Sequence, residues 1–285
     1  MRSTSELDNL IKYINMGKKK RFQGLSEEDK LMIEEKMSYT HDGQENTRYV
    51  DDYKRRVKAM CYRIDIQCQT EKQQVFYNHL LDTNKKVNIC DAPAGVGKSF
   101  LALAAGLSLL KEGTISNVII VVPTIEASET CRIGLLPGTI EEKLKPYTIA
   151  AMANVEKILR IGGSTNPREV TQYLFNNGLI RFELLSYARG RTLDDCFLIL
   201  DEAENLSQKE CLLLLTRIGD GSSKVALLGD REQCDRRDVR GTNACGLIYA
   251  ADKLANLDEV TVDEFETSDI VRNPIITKIL NAWNA

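Results

Sequence analysis

Short apolar runs alternate along most of the chain with stretches of helical character. The apolar runs predict strands at Val87–Cys90, Val118–Val122, Leu179–Leu185, Phe197–Leu200, Val225–Leu228 and Glu259–Val262. The segments between them predict helices at Phe100–Leu110, Glu141–Arg160, Ser207–Ile218 and Gly246–Leu254, and residues 162–167 predict a loop. Continuous apolar strands that alternate with helices are typical of a parallel sheet covered by helices on both faces. The pattern therefore predicts an α/β fold, mostly parallel, over residues 61–285.

The first 60 residues differ from the rest in charge density. They carry 24 Lys, Arg, Asp and Glu side chains, whereas the other 225 residues carry 55. All eight cysteines come after residue 60. We therefore expect residues 1–60 to form a charged, helical or mobile arm without a core of its own. The basic run Lys18–Arg21 within it fits either a nucleic-acid contact or solvated surface.

Overall composition narrows the class of protein. An apolar content of 43% and a net charge of −3 exclude an intrinsically disordered chain. No apolar stretch approaches the length of a membrane span, and the polar N-terminus does not resemble a signal peptide. The cysteines form no C-x-x-C pair and the chain has two histidines, so zinc-site spacing is missing. We expect buried free thiols in a cytoplasmic protein.

The segment after the first predicted strand has the pattern of a phosphate-binding loop. Its sequence is Ala92, Pro93, Ala94, Gly95, Val96, Gly97, Lys98, Ser99, which matches the Walker A motif with Ala in the first position. Glycines let phosphate oxygens approach main-chain N–H groups, and the helix that follows directs its N-terminus at them. Lys98 would bridge the β- and γ-phosphates of ATP, and the Ser99 hydroxyl would bind Mg²⁺.

Two further strands end in acidic residues. The run Phe197–Leu200 leads into Asp201 and Glu202, a Walker B arrangement in which Asp201 would hold Mg²⁺ and Glu202 would act on the attacking water. Ser207 and Glu210 already provide a capping box for the next helix, so neither acid is needed as its cap.

A second acidic strand end lies downstream. The run Val225–Leu228 leads to Asp230, with Gln233 three residues later. These two residues would sense the γ-phosphate or its attacking water; an ordinary β-turn is the alternative interpretation.

Several stretches together resemble the PhoH-like P-loop ATPases, whose core is similar to that of superfamily 1 helicases. The resemblance runs in order from about residue 65 to residue 280 and includes, besides the two Walker motifs, Gly134–Gly138 (GLLPG), Arg189–Leu193 (RGRTL), Leu215–Gly219, Gly229–Asp230 with Gln233, Gly246–Leu247 and Asp269–Pro274 (DIVRNP). It implies a RecA-like fold, Mg²⁺-dependent ATP hydrolysis, a cytoplasmic setting, and ring-shaped homo-oligomers, of which a hexamer is one candidate. It also implies a link to RNA metabolism and phosphate starvation.

The resemblance extends to one residue before Walker A and fails at three places. Gln73 occupies the position of a family glutamine that would read the adenine edge; a solvated glutamine at a helix start is the alternative. Val122 stands where the family usually has Arg, and Glu204 where it usually has Gln. After Gln233, where the family turns apolar, this chain reads Cys-Asp-Arg-Arg.

Arginines in the family-like stretches are candidates for a finger that stabilises charge on the γ-phosphate. They are Arg189, Arg191, Arg217 and Arg272, with Arg217 and Arg272 the leading pair and a surface salt bridge the alternative for each. A single RecA-like core has no second motor domain to supply the finger. We therefore expect a homo-oligomer with the nucleotide at a subunit interface.

These observations favour an ATPase that acts on RNA or another polymer. A nucleotide-gated binding or scaffold protein with little turnover is the alternative, although a pure binder has no need of Glu202. A GTPase or small-molecule kinase is disfavoured, because no N-K-x-D tetrapeptide follows Walker A and no second substrate site is evident.

Overall fold

The computed structural model describes residues 62–122, 126–127, 131–132, 140–185, 192–219, 221–234, 245–271 and 282. The chain divides into two compact units, Met1–Tyr62 and Arg63–Ala285. The described helices and strands belong to the second unit. The arm predicted for residues 1–60 lies outside the described residues.

Helices and strands alternate through the second unit. The strands are β1 (Val87–Asp91), β2 (Asn117–Val122), β3 (Glu126–Ala127), β4 (Cys131–Arg132), β5 (Ile180–Leu184), β6 (Cys196–Leu200), β7 (Lys224–Gly229) and β8 (Val260–Glu264). The helices are α1 (Glu71–Leu81), α2 (Lys98–Glu112), α3 (Ile140–Ile161), α4 (Pro167–Asn176), α5 (Gln208–Leu215) and α6 (Gly246–Leu254). Short 3₁₀ turns occupy Ala203–Asn205, Arg231–Gln233 and Thr267–Asp269.

Six of the strands form one sheet in the order β5-β2-β6-β7-β1-β8, and every pairing in it is parallel. Strands β3 and β4 form a separate antiparallel pair. The predicted α/β fold is confirmed, and it is of the RecA-like P-loop type. Because all six strands run the same way, the residues that follow β1, β6 and β7 meet at the carboxyl edge of the sheet.

The central strands are apolar because both of their faces are covered. Every residue of β6 and β7 is buried, and so is most of α2 from Leu101 to Leu110. Such continuous burial explains why these strands read as unbroken apolar runs rather than alternating patterns.

Most predicted elements match the observed ones to within a few residues, and the differences concern α1, α4 and the end of α5. Helix α5 ends at Leu215, before the predicted Ile218, since the Arg217 amide donates to the Leu214 carbonyl, three residues back, and the chain turns. Helices α1 and α4 were not predicted from the apolar pattern. Pro167, placed in the predicted loop, is the first residue of α4, where its missing N–H costs no hydrogen bond.

A buried lysine lies at the amino edge of the sheet and binds the end of helix α1. Lys224, the first residue of β7, is 1% exposed, and its Nζ donates to the carbonyls of Leu80 at 2.5 Å and Asp82 at 2.9 Å. The same ammonium lies 5.6 Å from the centre of the Phe197 ring. Burial lowers the pKa of Lys224 to about 8. This lysine thus satisfies carbonyls at the C-terminal end of α1.

Strand β6 has a left-handed residue at each end. Asp195, just before the strand, has a φ of 46°, and Glu202, just after Asp201, has a φ of 61°. Residues other than glycine rarely adopt this conformation. The chain therefore turns sharply into and out of this strand.

Five cysteines are buried free thiols, as predicted: Cys90, Cys196, Cys211, Cys234 and Cys245. Cys68 is partly exposed. In the part of the chain that the structure describes, no helix has both the length and the apolar content to cross a membrane.

Candidate functional site

The loop between β1 and α2 forms the predicted phosphate cradle. The side chains of Ala92 and Val96 are buried beneath it, and the Ala92 amide donates to the Gly229 carbonyl at 2.9 Å. Gly95 and Gly97 have φ values of 97° and 88°. A Cβ at Gly97 would lie an unstrained 3.7 Å from Gln73 Nε2, so within this chain glycine is required there by torsion and not by crowding.

Helix α2 begins inside the cradle. Its first residue is Lys98, and the first intrahelical acceptor, the Gly97 carbonyl, receives the Leu101 amide at 2.9 Å. The amides of the preceding three residues are those that an α-helix leaves free at its N-terminus, where they favour an anion. The Lys98 Nζ donates to the Ala92 carbonyl at 2.8 Å, which folds the ammonium back over the loop.

The Walker A serine meets the Walker B aspartate directly. Ser99 Oγ donates to Asp201 Oδ2 at 2.5 Å, and Asp201 Oδ1 accepts the Glu202 amide at 3.1 Å. Asp201 follows β6, which is separated from β1 by β7 in the sheet. Residues about a hundred positions apart in sequence thus meet at the carboxyl edge, as the two motifs predicted.

Both Walker motifs open into one cavity of about 840 Å³. The described residues that line it are Ile66, Gln67, Gln69, Gln73, Ala94, Gly95, Gly97, Lys98, Ser99, Phe100, Leu101, Asn154, Lys157, Ile161, Asp201, Glu202, Glu204, Asn205, Asp230, Gln233 and Val271. Its size is within the usual range for a small-molecule or cofactor site.

Gln73 lies at the wall of this cavity and is 4% exposed, so the solvated alternative is wrong. Thr70 caps helix α1 by accepting the Gln73 amide through its side chain. The Gln73 side chain accepts from the Gln69 amide at 2.6 Å and donates to the Val96 carbonyl at 2.7 Å. This glutamine therefore ties the start of α1 to the cradle; its contact with adenine stays a prediction.

Asp230 and Gln233 also line the cavity, and they contact each other. Asp230 caps the 3₁₀ turn Arg231–Gln233 by accepting the Glu232 amide at 3.1 Å, and its Oδ2 accepts from Gln233 Nε2 at 2.6 Å. The segment is a capped 3₁₀ turn, closed by the Gln233 amide on the Asp230 carbonyl at 2.9 Å, and its response to the γ-phosphate stays a prediction. The turn presents both side chains to the same space as Asp201.

Glu204 connects the Walker B end to this turn. It is 5% exposed, and its Oε2 accepts the Asp230 amide at 3.1 Å. Burial raises the pKa of Glu204 to about 7, against the opposing effect of its main-chain hydrogen bonds. A carboxyl group thus stands where the family usually has a glutamine, and near neutral pH it holds a proton for part of the time.

Arg231 fixes the other side of the turn. Its amide donates to Asp91 Oδ1 at 3.0 Å, its guanidinium pairs with the same carboxylate, and a second guanidinium nitrogen lies 2.8 Å from Glu264 Oε1. Asp91 ends β1 and Glu264 ends β8. These contacts link three neighbouring strand ends beside the cradle.

Of the predicted arginine fingers, Arg217 is the one that the described residues include, and it does not line the cavity. Arg217 follows α5, and its carbonyl accepts the Leu193 amide at 2.9 Å, just ahead of the first residue of β6. It therefore lies towards the amino edge of the sheet, away from Asp201. Arg189, Arg191 and Arg272 lie outside the described residues.

The donors present at the cradle fit a magnesium ion. Mg²⁺ prefers hard oxygen ligands and is commonly held by one or two protein oxygens together with substrate phosphates. Ser99 Oγ and Asp201 Oδ2 are such oxygens, and they already lie side by side. Among the described residues, no group of three or more His, Cys, Asp or Glu side chains could hold a metal ion by itself.

Some cavity residues carried no signal in the sequence. Helix α3 contributes Asn154, Lys157 and Ile161 to the lining, and the segment before α1 contributes Ile66 and Gln67. They belong to no motif, and only the tertiary fold brings them to the cradle. The 3- and 4-residue spacing within α3 marks one helical face, which is the signal that the sequence offers.

Comparison with known proteins agrees with this geometry. A family model described as PhoH-like protein matches residues 65–284. The PhoH-like protein of Bacillus subtilis (strain 168) is 36% identical over 192 residues, which are 67% of this chain and 56% of that protein. The PhoH-like protein of Mycobacterium leprae (strain TN) is 36% identical over 191 residues, which are 67% of this chain and 51% of that protein.

Protein PhoH2 of Bacillus subtilis (strain 168) is 40% identical over 162 residues, covering 56% of this chain and 35% of that protein. The chain thus spans about half the length, or less, of these three relatives. The resemblance drawn from the motifs is confirmed: the chain belongs to the PhoH-like protein family.

Proposed function

We propose that this chain binds ATP in the cavity at the carboxyl edge and hydrolyses it with Mg²⁺. One observation carries the proposal: Lys98 and Ser99 of Walker A share one cavity with Asp201 and Glu202 of Walker B, and Ser99 Oγ lies 2.5 Å from Asp201 Oδ2. The free amides of the cradle would receive the β- and γ-phosphates. Lys98 would exchange its bond to the Ala92 carbonyl for phosphate oxygens.

Glu202 is the residue we assign to the attacking water. Its carboxylate would accept a proton from water while the water oxygen bonds to the γ-phosphorus and the bond to the β–γ bridging oxygen breaks, giving ADP and phosphate. Burial and, after it, the negative charge of Glu202 raise the pKa of Tyr147, a residue of α3. Mg²⁺, held by Ser99 and Asp201, would neutralise charge on the β- and γ-phosphate oxygens.

Asp230 and Gln233 complete the proposed site. Their mutual hydrogen bond and their place in the cavity lining would let them respond to the γ-phosphate. The Glu204 carboxyl group accepts the Asp230 amide, so a movement at the γ-phosphate would reach the Walker B segment through this hydrogen bond.

The direct test is phosphate release from ATP. The unaltered chain should release phosphate in a Mg²⁺-dependent reaction, and Lys98→Ala and Glu202→Gln should each lower the rate about 100-fold or more. Lys111→Ala, at the other end of α2, and Glu259→Gln, at an exposed position, are the matched controls. Retained hydrolysis in Glu202→Gln would remove that residue from its role. Tight ATP binding without turnover in every variant would favour the nucleotide-gated scaffold.

We further propose a homo-oligomer in which a neighbouring copy supplies an arginine finger, with Arg272 and Arg217 as candidates. Lys98→Ala keeps the arginines and lacks the cradle lysine, whereas Arg272→Ala does the reverse. Each variant alone should be inactive, and mixing them should restore hydrolysis where the finger acts between copies. The Arg217→Ala mixture tests the second candidate. A monomer that hydrolyses ATP at full rate would contradict the oligomer.

RNA is the polymer that we propose for this ATPase, on the basis of the family alone. Phosphate release should rise when single-stranded RNA is added and should rise less with DNA of the same sequence. No stimulation by any RNA or DNA would contradict a nucleic-acid partner and leave the ATPase proposal intact.

A further inference from the structure

Helix α3 forms a wall of the cavity that no nucleotide motif includes. Asn154, Lys157 and Ile161 line the cavity from one face of this helix, while Val155 and Ile158, on another face, are fully buried in the domain. The spacing is that of a helix with one apolar face packed and a polar face turned to a ligand space. The face of α3 that carries Asn154 and Lys157 therefore borders the cavity.

The end of this wall is held in place by main-chain contact. Gly162 follows α3, and a Cβ there would lie 1.8 Å from the Arg63 carbonyl oxygen. Only glycine allows the chain to approach so closely. Arg63 begins the segment that contributes Ile66 and Gln67 to the cavity, so the α3 wall and this segment are fixed against each other.

Lys157 places a positive charge at the start of α2. Its Nζ lies 5.3 Å from the centre of the Phe100 ring. Phe100 is the third residue of α2, next to Ser99, and its amide is among those that the helix leaves free. Among the described residues, no carboxylate forms an ion pair with the Lys157 ammonium. An ammonium without a carboxylate partner, held over the ring of a residue in the first turn of α2, can attract a phosphate bound at that helix start.

The cavity lining holds more carboxyl groups than ammonium groups. Four carboxyl groups line it, those of Asp201, Glu202, Glu204 and Asp230, whereas the described ammonium groups in its lining are those of Lys98 and Lys157. A polyphosphate adds several negative charges to this space. Lys98 folds back over the loop to the Ala92 carbonyl, and Lys157, over the Phe100 ring, is placed to supply a second cation.

We propose that Lys157 is a second phosphate-binding lysine, contributed by helix α3, which contacts the polyphosphate of a nucleotide from outside the Walker A loop. The Phe100 ring holds the Lys157 ammonium at the start of α2. This inference rests on the proposed function, and it adds a binding residue that no Walker motif contains. Lys157 is a nucleotide-binding residue in this proposal and takes no part in the bond-breaking step.

The test compares ligands that differ in phosphate number. Binding of ATP, ADP and AMP to the full chain is measured by calorimetry at fixed salt and Mg²⁺. Lys157→Gln should weaken ATP and ADP about 5- to 30-fold and AMP less than about 3-fold, because a charged contact to the β- and γ-phosphates is lost. Lys157→Arg should restore most of the affinity. Lys145→Gln, an exposed lysine of the same helix outside the cavity lining, should leave all three unchanged.

The outcomes separate this inference from the proposed function. If the unaltered chain binds no ATP, both are wrong. If the unaltered chain and Lys157→Gln bind ATP equally well, the inference alone is wrong. An equal loss for ATP, ADP and AMP would also overturn it, since the lysine would then act on the nucleoside and not on the phosphates. In hydrolysis assays the variant should show a raised KM with kcat nearly unchanged.

The role of the ring is tested by a double-mutant cycle. Phe100→Leu keeps an apolar residue at the start of α2 and removes the aromatic face. If the ring directs the ammonium, the losses of ATP affinity in Phe100→Leu and Lys157→Gln should be less than additive when combined. Fully additive losses would overturn the part assigned to the ring.

Discussion

The two edges of the central sheet each carry a lysine that donates to main-chain carbonyls, and the two lysines do opposite things. At the carboxyl edge, Lys98 makes one such bond, to Ala92, and lines the cavity. At the amino edge, Lys224 is 1% exposed and donates to the carbonyls of Leu80 and Asp82. A lysine with one exchangeable partner is available to a ligand, whereas one with its donors occupied in the interior holds the fold together.

Helix α1 spans both edges and shows the same division. Its N-terminus, capped by Thr70, lies beside the cradle through Gln73, and its C-terminal carbonyls receive Lys224. The end near the cavity depends on short polar contacts that a nucleotide can rearrange. The far end depends on a buried charge that nothing in solution reaches.

The largest expected difference between the two edges of the sheet is in the rate of ATP hydrolysis. Lys98→Ala should lower ATP turnover about 100-fold or more while the free energy of unfolding changes by less than about 0.5 kcal/mol, because a partly exposed side chain with one carbonyl partner is lost. Steady-state phosphate release and urea denaturation measure the two quantities. A large loss of stability would mean that Lys98 is structural after all.

Lys224→Ala should give the reverse result. It leaves buried carbonyls without donors and opens a cavity against Phe197, so the free energy of unfolding should fall by about 2–4 kcal/mol. Turnover per folded molecule should be unchanged. Lys224→Met, which fills the space without donors, should cost less than the alanine variant; an equal cost would show that the volume of the stem is unimportant.

Glu204, at the carboxyl edge, should make the free energy of unfolding fall as the pH rises. In the unfolded chain this carboxyl group loses its proton near pH 4.5, and in the folded chain near pH 7, so the folded state holds more protons between these values. The free energy of unfolding should therefore fall by about 1–3 kcal/mol as pH rises from 4.5 to 7. Glu204→Gln, which keeps an acceptor for the Asp230 amide, should flatten this slope.

The amino edge should show the opposite slope at higher pH. The Lys224 ammonium has a pKa of about 8 in the folded chain and 10.5 in its ordinary state, so the unfolded chain holds more protons between pH 8 and 10.5. Stability should gain about 1–3 kcal/mol over that range from this group, which is less than the full shift because titration is incomplete at both ends of the range. Lys224→Met should remove the gain. An unchanged slope would mean that another group causes it.

The smallest expected effect is at the Thr70 cap. Thr70→Ala removes the side-chain acceptor of the Gln73 amide and should cost about 1 kcal/mol of stability. Because Gln73 also bonds Val96, the KM for ATP should rise by a few-fold. Ser207→Ala, which breaks the capping box of α5, is the matched control and should cost similar stability without changing KM.

Sequence reasoning predicted the sheet and the two Walker motifs because their signals are local. An unbroken apolar run such as Phe197–Leu200 identifies a doubly covered strand, and Ser207 with Glu210 identifies a helix start, as the observed capping box confirms. The meeting of Ser99 and Asp201 also followed, since parallel strands bring their carboxyl ends together.

The rest depended on contacts between distant residues. Lys224 opens an apolar strand, and only packing against α1 reveals that its ammonium is buried. In the sequence, nothing distinguishes Lys157 from other charged residues, and only the packing of α3 brings its ammonium to the Phe100 ring. Helix α4 was missed because Gly162 to Pro167 reads as a loop, although the proline itself is a good first residue for a helix.

The left-handed residues at the two ends of β6 set the position of the Walker B acid. Asp195 and Glu202 bend the chain sharply on either side of Cys196–Leu200, at a backbone cost of about 1 kcal/mol each. Their spacing defines how many residues the strand contains, and hence how far Asp201 stands beyond its last paired position. Adding one residue to this strand would carry the carboxylate away from the hydroxyl of Ser99 even if all neighbouring strands kept their register.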